Sequence, residues 1–378
     1  MLYYLFQQSG VEWLHVNLFR YISFRGVLGA AIAFVTALLV GRPLMTLLRR
    51  KMSARSLHRK DHKELTDIHS VKQGTPNMGG LIMIAAMLAG VLTVCDLTNI
   101  FVLGGVYVML GFGFLGFIDD YFKLFSDRSK GLTKSQKIAW QFFMSALVAV
   151  LVIYFGTYHR LYPGAAAGAG AVDPTTLAFP GFKNLLFAVG PWGFLLWSFA
   201  VVGGSSNGVN LTDGLDGLAT GCYIVAVGTF AVVTYVVTRA DTSQYLNLLF
   251  VPNAAELVVV CMTVAGACLG FLWFNAFPAE IFMGDTGSLC LGAFIGYTAL
   301  VIKQEFLLLI VGGVFVVETG SVILQVASFR LFGRRIFRIT PIHHIFELQG
   351  LKESKITVRF WIAQIILALL CLASLKLR

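Results

Sequence analysis

The feature that most constrains this chain is a series of long apolar runs separated by short polar segments. A helix that crosses a bilayer needs about 20 mostly apolar residues. Ten runs come close to or exceed this length, at 24–48, 78–95, 101–118, 138–157, 184–204, 216–238, 255–275, 287–302, 306–330 and 357–375. Backbone groups inside a bilayer must be hydrogen-bonded internally, so the runs predict helices. We therefore expect an all-α, polytopic membrane protein with about ten transmembrane helices, forming a single transmembrane domain over residues 1–378.

Composition supports a membrane protein and argues against a nucleic-acid-binding one. Hydrophobic residues make up 57% of the chain and charged residues 13%, whereas a soluble domain is about half apolar and a quarter charged. The net charge of +10 sits in short clusters between the apolar runs, which is typical of an orientation signal and of anionic ligands. The six cysteines lie in or near apolar runs, so we expect small core residues without disulfides. The first 20 residues lack a basic leader, and no signal peptide is expected.

The positive charges of the loops predict the orientation of the chain. Lys and Arg are abundant in 49–77, 119–137 and 331–356 and scarce in alternate segments such as 239–254. Because positively charged loops stay in the cytoplasm, both termini are expected on the outer, periplasmic side. The cytoplasmic loops that form one predicted active-site face are 49–77, 119–137, 205–215, 276–286 and 331–356. The Gly- and Ala-rich segment 163–176 falls outside and is expected to be a flexible connector.

Acidic side chains gather on this predicted cytoplasmic face. They are Asp119, Asp120, Asp213, Asp216 and Asp285. Carboxylate oxygens select Mg²⁺ or Mn²⁺, and Mg²⁺ is usually held by one or two carboxylates plus substrate phosphates. Adjacent Asp119 and Asp120 point in different directions on a helix, which favours different roles. Asp213 and Asp216 share a face if their segment is helical. The cluster predicts a site for a metal-bound diphosphate at the inner membrane surface.

Simpler explanations exist for each polar residue taken alone. A single aspartate at the end of a span is as often an interfacial residue as a functional one, and Lys72 alone is an orientation charge. His343 and His344 alone form a structural interface pair. Glu318 lies inside an apolar run, so it is expected to face the bundle interior, in a structural role more than a catalytic one. The convergence of five aspartates on one face is what favours a functional site.

Five motifs resemble those of the phospho-N-acetylmuramoyl-pentapeptide transferase family, which belongs to the polyprenyl-phosphate N-acetylhexosamine-1-phosphate transferases. The motifs are Lys72-x-Gly-Thr-Pro-x-Met-Gly-Gly, Asp119-Asp120-Tyr, Asn207-x-x-Asn-Leu-Thr-Asp-Gly-Leu-Asp-Gly, Trp273-Phe-Asn-x-Phe-Pro-Ala-x-Ile-Phe-Met-Gly-Asp-x-Gly-Ser288 and Thr340-Pro-Ile-His-His. They are long, they occur in the family's order, and the resemblance extends over nearly the whole chain.

The resemblance implies a reaction at the membrane surface. In that family, phospho-MurNAc-pentapeptide moves from UDP-MurNAc-pentapeptide to undecaprenyl phosphate, giving lipid I and UMP with Mg²⁺ as cofactor. This is the first membrane step of peptidoglycan synthesis, and it occurs in the bacterial inner membrane with the active site facing the cytoplasm. Dimers occur in the family, so a second copy of the chain is an implied partner.

The resemblance also implies roles for individual residues. Asp285 matches the Mg²⁺-binding aspartate, Asp119 the residue that handles the lipid phosphate, and Asp120 its essential neighbour. The remaining matches are substrate contacts or loop residues that complete the site: Lys72, Thr75, Asn210, Asp213, Asp216, Asn275, Phe282, Gln325, His343 and His344. Among them, Asn210, Asp213 and Asp216 match the nucleotide loop and Phe282 a uracil-stacking position. The two histidines are counted with the three aspartates as catalytic residues.

Two departures from the family pattern leave alternatives open. Ile345 stands where a third histidine is usual, and Asn77 stands where threonine is common. A related transferase that uses UDP-GlcNAc is the nearest rival, and an inactive homologue is another. A transporter would place polar groups near the bilayer midplane and often shows internal repeats. Here the polar groups gather at one surface, and no repeat is visible.

Overall fold

The computed structural model describes residues 16–56, 75–125, 131–161, 170–179 and 186–376. Helices dominate these segments. In chain order they are α1 (Ile22–Ser56), α2 (Gly80–Val94), α3 (Ile100–Phe125), α4 (Lys134–Phe155), α5 (Gly190–Ser198), α6 (Gly204–Thr212), α7 (Leu218–Val237), α8 (Ala240–Leu246), α9 (Glu256–Asn275), α10 (Gly284–Val301), α11 (Glu305–Val311), α12 (Gly313–Phe332), α13 (His343–Leu348) and α14 (Glu353–Ser374). A π-helical turn over Phe199–Gly203 joins α5 to α6, and short 3₁₀ turns cover Val16–Arg20 and Pro252–Ala254.

Four short strands follow the end of α4. Strand β1 (Tyr158–His159) pairs antiparallel with β2 (Ala171–Val172), and β3 (Thr176–Ala178) pairs antiparallel with β4 (Leu186–Ala188). The prediction of a flexible connector over 163–176 is therefore wrong for the residues that form β2 and begin β3. The rest of that segment up to residue 169 lies outside the described residues.

The helices confirm an all-α, polytopic membrane protein. Among the described residues, seven helices are long and apolar enough to cross a bilayer: Ile22–Arg50, Ile100–Leu124, Lys134–Phe155, Leu218–Val237, Pro252–Asn275, Gly313–Phe332 and Glu353–Ser374. A shorter apolar helix covers Gly80–Val94. The six cysteines are free and buried, as expected for small core residues. Glu318 is fully buried, which confirms that it faces the interior.

Helix α10 is the central element of the bundle. Every residue from Thr286 to Val301 is buried, and α10 packs against α3 on one side and α6 on another. Around this centre, α1 packs against α2 and α9, and α7 packs against α9 and α14. The position of α10 matters for the site because its first turn carries Asp285.

Two glycines let neighbouring backbones touch the start of α10. A Cβ added to Gly116 of α3 would lie 2.1 Å from the Asp285 carbonyl oxygen, and a Cβ added to Gly80 of α2 would lie 2.1 Å from the Gly287 nitrogen. Real side-chain carbons do not approach backbone atoms so closely, so only glycine fits at these two positions. The glycines thereby bring the ends of three helices together where the acidic cluster forms.

Several predicted loops are shorter than expected because helices continue into them. Helix α3 runs to Phe125 and α4 begins at Lys134, so most of the predicted loop 119–137 that the structure describes is helical. Helix α6 covers most of the predicted loop 205–215, and α10 begins inside the predicted loop 276–286. Likewise, α1 continues to Ser56 within 49–77, and α13 interrupts 331–356.

Polar side chains in α6 bond back to the helical backbone. In α6, the Asn207 amide donates to the Gly203 carbonyl and the Thr212 hydroxyl donates to the Gly208 carbonyl, each one turn earlier. Asp213 and Asp216 lie in the turn after α6 and not on a helix, so the condition for their sharing a helical face is not met.

We expect Gly116→Ala to destabilise the protein, because its Cβ would push α3 away from the start of α10. Overpacking of this kind costs about 1–3 kcal/mol, and the loss is measured as a lower Tm of the detergent-solubilised protein. Gly228→Ala in α7 is the matched control, since a Cβ there meets nothing within 4 Å and alanine favours a helix. Equal Tm values for the two variants would contradict the close contact at Gly116.

Candidate active site

Two carboxylates and two ammonium groups form the centre of the site. Lys123 Nζ lies 2.6 Å from Asp119 Oδ2 and 3.1 Å from Asp285 Oδ2. Lys137 Nζ lies 2.8 Å and 2.9 Å from the same two oxygens. The Leu132 backbone N–H also donates to Asp119 Oδ1 at 2.7 Å, and the Asp119 side chain is fully buried. Each ammonium group thus bridges the same two carboxylates and joins α3, α4 and α10.

Asp120 holds the first turn of α10 in place. Its carboxylate accepts the backbone N–H groups of Asp285 at 3.3 Å and Thr286 at 2.9 Å, and the Thr286 hydroxyl at 2.7 Å. The first N–H groups of a helix have no partner within the helix, and Asp120 supplies one from α3. Adjacent Asp119 and Asp120 therefore have different partners, as their positions on one helix predicted.

A polar cavity of about 510 Å³ opens beside this cluster. Its wall brings together six residues that the sequence singled out: Asn210, Asp213, Asp216, Asn275, Phe282 and Asp285. Asn77, Gly214, Leu215 and Gly284 complete it. Four separate segments of the chain contribute to this wall, which explains why the motifs are far apart in sequence.

Two asparagines order the cavity wall through hydrogen bonds. Asn210 Nδ2 donates to Asp285 Oδ1 at 2.9 Å and to the Ser288 hydroxyl at 2.8 Å. Asn275 Nδ2 donates to the Ile281 carbonyl at 3.0 Å, and its Oδ1 accepts from the Thr220 hydroxyl at 2.9 Å. The amide group of Asn210 therefore orients Asp285, and that of Asn275 fixes the segment leading into α10.

The turn between α6 and α7 places two further carboxylates at the cavity. Burial, followed by the negative charges of Asp285 and Asp120, raises the pKa of Asp213 to about 7. Asp216 Oδ2 accepts the Ala279 backbone N–H at 3.0 Å. Burial is the larger cause of the raised pKa and the nearby carboxylates add to it, so a bound cation on this side of the cavity would favour the charged form of Asp213.

Neither histidine is among the residues that line the cavity. The His343 side chain is buried, and its Nδ1 lies 3.3 Å from Glu318 Oε2. His344 Nδ1 lies 2.5 Å from Glu347 Oε2 at the surface of α13. The structure thus pairs each histidine with a glutamate.

Of the three remaining predicted residues, two lie elsewhere and one is outside the described residues. Gln325 accepts the backbone N–H groups of Ile336 and Phe337 at 2.9 Å each and donates to the Phe337 carbonyl, so its side chain is used in folding the segment after α12. Thr75 is half-buried just before Asn77 and does not line the cavity. Lys72 lies outside the described residues.

The carboxylates can be tested for their fit to a divalent cation. Among the described residues, no group of three or more His, Cys, Asp or Glu side chains has the arrangement of a complete metal site. Mg²⁺ does not require one, because it commonly keeps waters and binds one or two carboxylates plus substrate phosphates. Asp119 Oδ2 and Asp285 Oδ2 contact the same two ammonium groups, so both oxygens face one small volume. Carboxylate oxygens are the donors that Mg²⁺ prefers, so the residue types fit a cation completed by phosphate, which would have to displace the ammonium contacts.

Lys123 and Lys137 are the central site residues that sequence reasoning passed over. Both were taken as orientation charges of the predicted loop 119–137, whose lysines can also neutralise phosphate, but neither was assigned to the site. A signal for Lys123 was present, because it follows Asp119 by four residues and such pairs share a helical face. No comparable signal exists for Lys137, which reaches the cluster from α4 through the fold.

An apolar groove of about 370 Å³ lies along α6 and α12. We call it the α6–α12 groove, and its lining includes Gly208, Val209, Phe315, Val316 and Ile323. Gly208 and Val209 precede Asn210 directly in α6. The groove therefore ends within one helical turn of the residue that orients Asp285.

The fold and the site define a polytopic, mainly helical membrane protein. Its Asp285 belongs both to a carboxylate–lysine cluster and to the wall of a polar cavity, and an apolar groove ends nearby. Residues 102–303 match the family described as glycosyl transferase family 4. The chain is 45% identical to the phospho-N-acetylmuramoyl-pentapeptide-transferase of Nitratidesulfovibrio vulgaris (strain DP4), over the whole of both chains.

Other relatives give the same result. The proteins of the same name from Geobacter sp. (strain M21) and Maricaulis maris (strain MCS10) are each 43% identical, again over the full length of both chains. The chain belongs to glycosyl transferase family 4 and, within it, to the phospho-N-acetylmuramoyl-pentapeptide transferases.

We expect Asp120→Asn to lower stability. The new NH₂ group can only donate, so it would leave at least one of the Asp285 and Thr286 donors that now bond to the carboxylate without an acceptor. Leaving buried groups unsatisfied costs about 1–3 kcal/mol, seen as a reduced Tm in detergent. Asp241→Asn is the matched control, since Asp241 is an exposed partner of Arg239 and such pairs contribute little. A Tm for Asp120→Asn no lower than that of the control would contradict the role of Asp120 at α10.

Proposed function

We propose that this protein transfers phospho-MurNAc-pentapeptide from UDP-MurNAc-pentapeptide to undecaprenyl phosphate, releasing UMP and forming lipid I. The observation that carries the proposal is full-length similarity to several proteins of that name. The geometry is consistent with it. The polar cavity, which would hold a nucleotide-linked donor, includes Asp285 of the charged cluster. The apolar groove, which would hold a lipid, ends beside Asn210, whose amide donates to Asp285.

The proposal includes a location and an orientation. All ten predicted apolar runs contain helix, so we propose ten spans. Seven are the long helices, and the other three are α2, α10 and the continuous segment formed by α5, the π-helical turn and α6. Both termini then lie in the periplasm, and the site faces the cytoplasm from the bacterial inner membrane. A homodimer is a further proposal, which the mass of the detergent-solubilised protein tests.

The donor is assigned to the polar cavity. Phe282 offers an aromatic face in the wall, and we assign it to stacking on uracil. Asn210, Asp213 and Asp216 also line the cavity and are assigned to the nucleotide. This assignment brings the diphosphate to Asp285, next to the ammonium groups of Lys123 and Lys137.

The acceptor lipid is assigned to the α6–α12 groove. An isoprenoid chain is apolar, so it gains from contact with side chains such as Phe315 and Val316 and needs no polar partner along its length. The phosphate at its end would then reach the cluster past Asn210. Lys123 is partly exposed beside Asp119, so its charge is available to the incoming phosphate.

The chemistry requires positioning more than a strong base. A phosphate monoester has a second pKa near 6, so the lipid phosphate is largely ionised at neutral pH. In phosphoryl transfer, most catalysis comes from alignment of the reactants and neutralisation of charge. The two lysines are placed to supply that neutralisation. Mg²⁺, held by Asp285 and the donor phosphates, would add positive charge to the diphosphate.

We favour direct attack of the lipid phosphate on the β-phosphorus of the donor. A covalent intermediate would need a carboxylate that is free to attack, but Asp119 is fully buried and contacts two ammonium groups. Asp120 is committed to the backbone of α10. Asp119 therefore fits a role in holding the lysines at the acceptor phosphate.

We expect the purified protein in detergent to release UMP from UDP-MurNAc-pentapeptide when undecaprenyl phosphate and Mg²⁺ are present. Chelation by EDTA should stop release, and Mg²⁺ should restore it. Asp285→Ala should lower kcat by on the order of 100-fold or more, because a residue at the developing charge is lost. The exposed Asp241→Ala variant controls for the loss of a carboxylate.

Each result of this assay separates the proposal from an alternative. Release with UDP-GlcNAc alone would move the protein to the related branch of transferases. No release with either donor would indicate an inactive homologue, in which Ile345 replaces a needed histidine. Release that survives EDTA would reject the magnesium requirement.

We expect Val316→Trp to weaken use of the lipid substrate selectively, because the larger ring narrows the α6–α12 groove. The KM for undecaprenyl phosphate should rise about tenfold, as expected for about 1.4 kcal/mol of lost binding, with little change in the KM for the donor. Val326→Trp is the matched control, since Val326 is similarly exposed on the same helix but does not line the groove. Equal effects of the two changes would reject the groove as the acceptor site.

A further inference from the structure

Glu318 is a buried acidic residue that the proposed chemistry does not use. It lies in α12 within an apolar span and is 0% exposed. An ionisable side chain in such a place is costly, so a partner or a function must compensate. The backbone N–H of His343 donates to Glu318 Oε1 at 3.2 Å, and His343 Nδ1 lies 3.3 Å from Glu318 Oε2. Glu318 thus binds the backbone of His343 and lies against its imidazole.

The opposite edge of the imidazole supports the cavity wall from behind. A Cβ added to Gly214 would lie 2.2 Å from His343 Nε2, so the ring fills the space that a side chain at 214 would occupy. Gly214 lines the polar cavity between Asp213 and Asp216, whereas His343 does not. The ring therefore contacts the turn that carries the two aspartates without facing the cavity itself.

The same turn is held on its other side by α14. The backbone N–H of Asp216 donates to Glu353 Oε1 at 2.7 Å, and the Thr357 hydroxyl donates to the Asp216 carbonyl at 3.2 Å. Trp361 Nε1 donates to the Gly217 carbonyl at 3.2 Å. The first half of the turn, at Gly214, contacts His343 instead. The turn is therefore held by α14 on one side and by the Glu318–His343 pair on the other.

We infer that Glu318 and His343 are positioning residues that set the Asp213–Asp216 turn and, through it, the shape of the donor cavity. The sequence assigned His343 to catalysis. We infer instead that His343 packs against Gly214 and holds the turn in position without contacting the substrate. The inference rests on the proposed function in one respect, which is that the cavity binds the UDP-linked donor. Misplacing binding groups by about 1 Å can cost on the order of 100-fold in rate, so the effect on the donor should be large.

The contact between Gly214 and His343 can be tested by exchanging volume across it. Gly214→Ala alone places a methyl group against the ring, and His343→Ala alone leaves a void behind the turn. In the double variant, the new methyl group enters the space that the ring vacated. We expect kcat/KM for the donor to fall at least tenfold in each single variant and to recover at least tenfold in the double variant, while the KM for undecaprenyl phosphate stays within about twofold.

A directly catalytic His343 gives a different result. The double variant would then be no more active than His343→Ala, and this outcome would overturn the inference. A rise in the KM for both substrates alike would also overturn it, because general damage to the fold is not selective for the donor.

Glu318 provides a second test that keeps the volume of the side chain. Glu318→Gln retains an oxygen that can accept the His343 backbone N–H, whereas Glu318→Ala removes it. We expect Glu318→Gln to keep donor kcat/KM within about tenfold of the wild type and Glu318→Ala to lose on the order of 100-fold. A Glu318→Gln variant that folds but is as inactive as Glu318→Ala would show that the charge itself is needed, against a positioning role.

Failure of the proposed function would look different from failure of this inference. If the wild-type protein releases no UMP from the muramoyl donor, the function is rejected. The packing contact is still measurable, because Tm values of the wild type, the two single variants and the double variant form a double-mutant cycle. A coupling between Gly214→Ala and His343→Ala supports the contact, and additive Tm changes reject it.

Discussion

The rest of the structure depends on keeping several carboxylates inside an apolar bundle. Asp119 and Asp120 are fully buried at the end of a span, where unpaired charges are costly. Each is compensated differently, Asp119 by two ammonium groups and Asp120 by the free N–H groups of α10. Because these partners come from α4 and α10, satisfying the charges also fixes how three helices meet.

The same requirement explains why the polar residues gather at one end of the helices. A site that joins a nucleotide-linked substrate to a lipid must be open to water and to the bilayer at once. At mid-bilayer the carboxylates would cost on the order of 2.5–3.5 kcal/mol each, whereas at the helix ends the lysines can reach both the cluster and water. The α6–α12 groove then needs only apolar side chains, and Asn210 links it to Asp285.

The sequence predicted the class of fold and most of the cavity wall, because apolar runs and motifs are local signals. It placed the ends of α3 and α6 too early, since a run of polar residues looks like a loop when its partners are unknown. Lys137 resembled an ordinary orientation charge, and only the packing of α4 beside α3 reveals its partners. Gln325 was expected at a substrate, but its amide binds the chain twelve residues later. Such long-range pairings are not encoded in any short stretch.

The first turn of α10 is where these effects combine. Gly80 and Gly116 allow neighbouring backbones to contact it, and Asp120 binds its free N–H groups. The positive end of the α10 dipole consequently lies at Asp285, where it partly offsets the crowding of negative charge. That crowding adds to burial, the larger cause, in raising the pKa of Asp213. Because its neighbours hold the first turn of α10 in place, the turn cannot move to separate the carboxylates. The rest of their negative charge must therefore be offset by side chains or ligands that can move. Without substrates, Lys123 and Lys137 supply the positive charge that offsets the carboxylates. Once substrates bind, a cation and phosphate groups would change this balance of charge. The same excess of negative charge thus keeps the helices in place and favours binding of the cation.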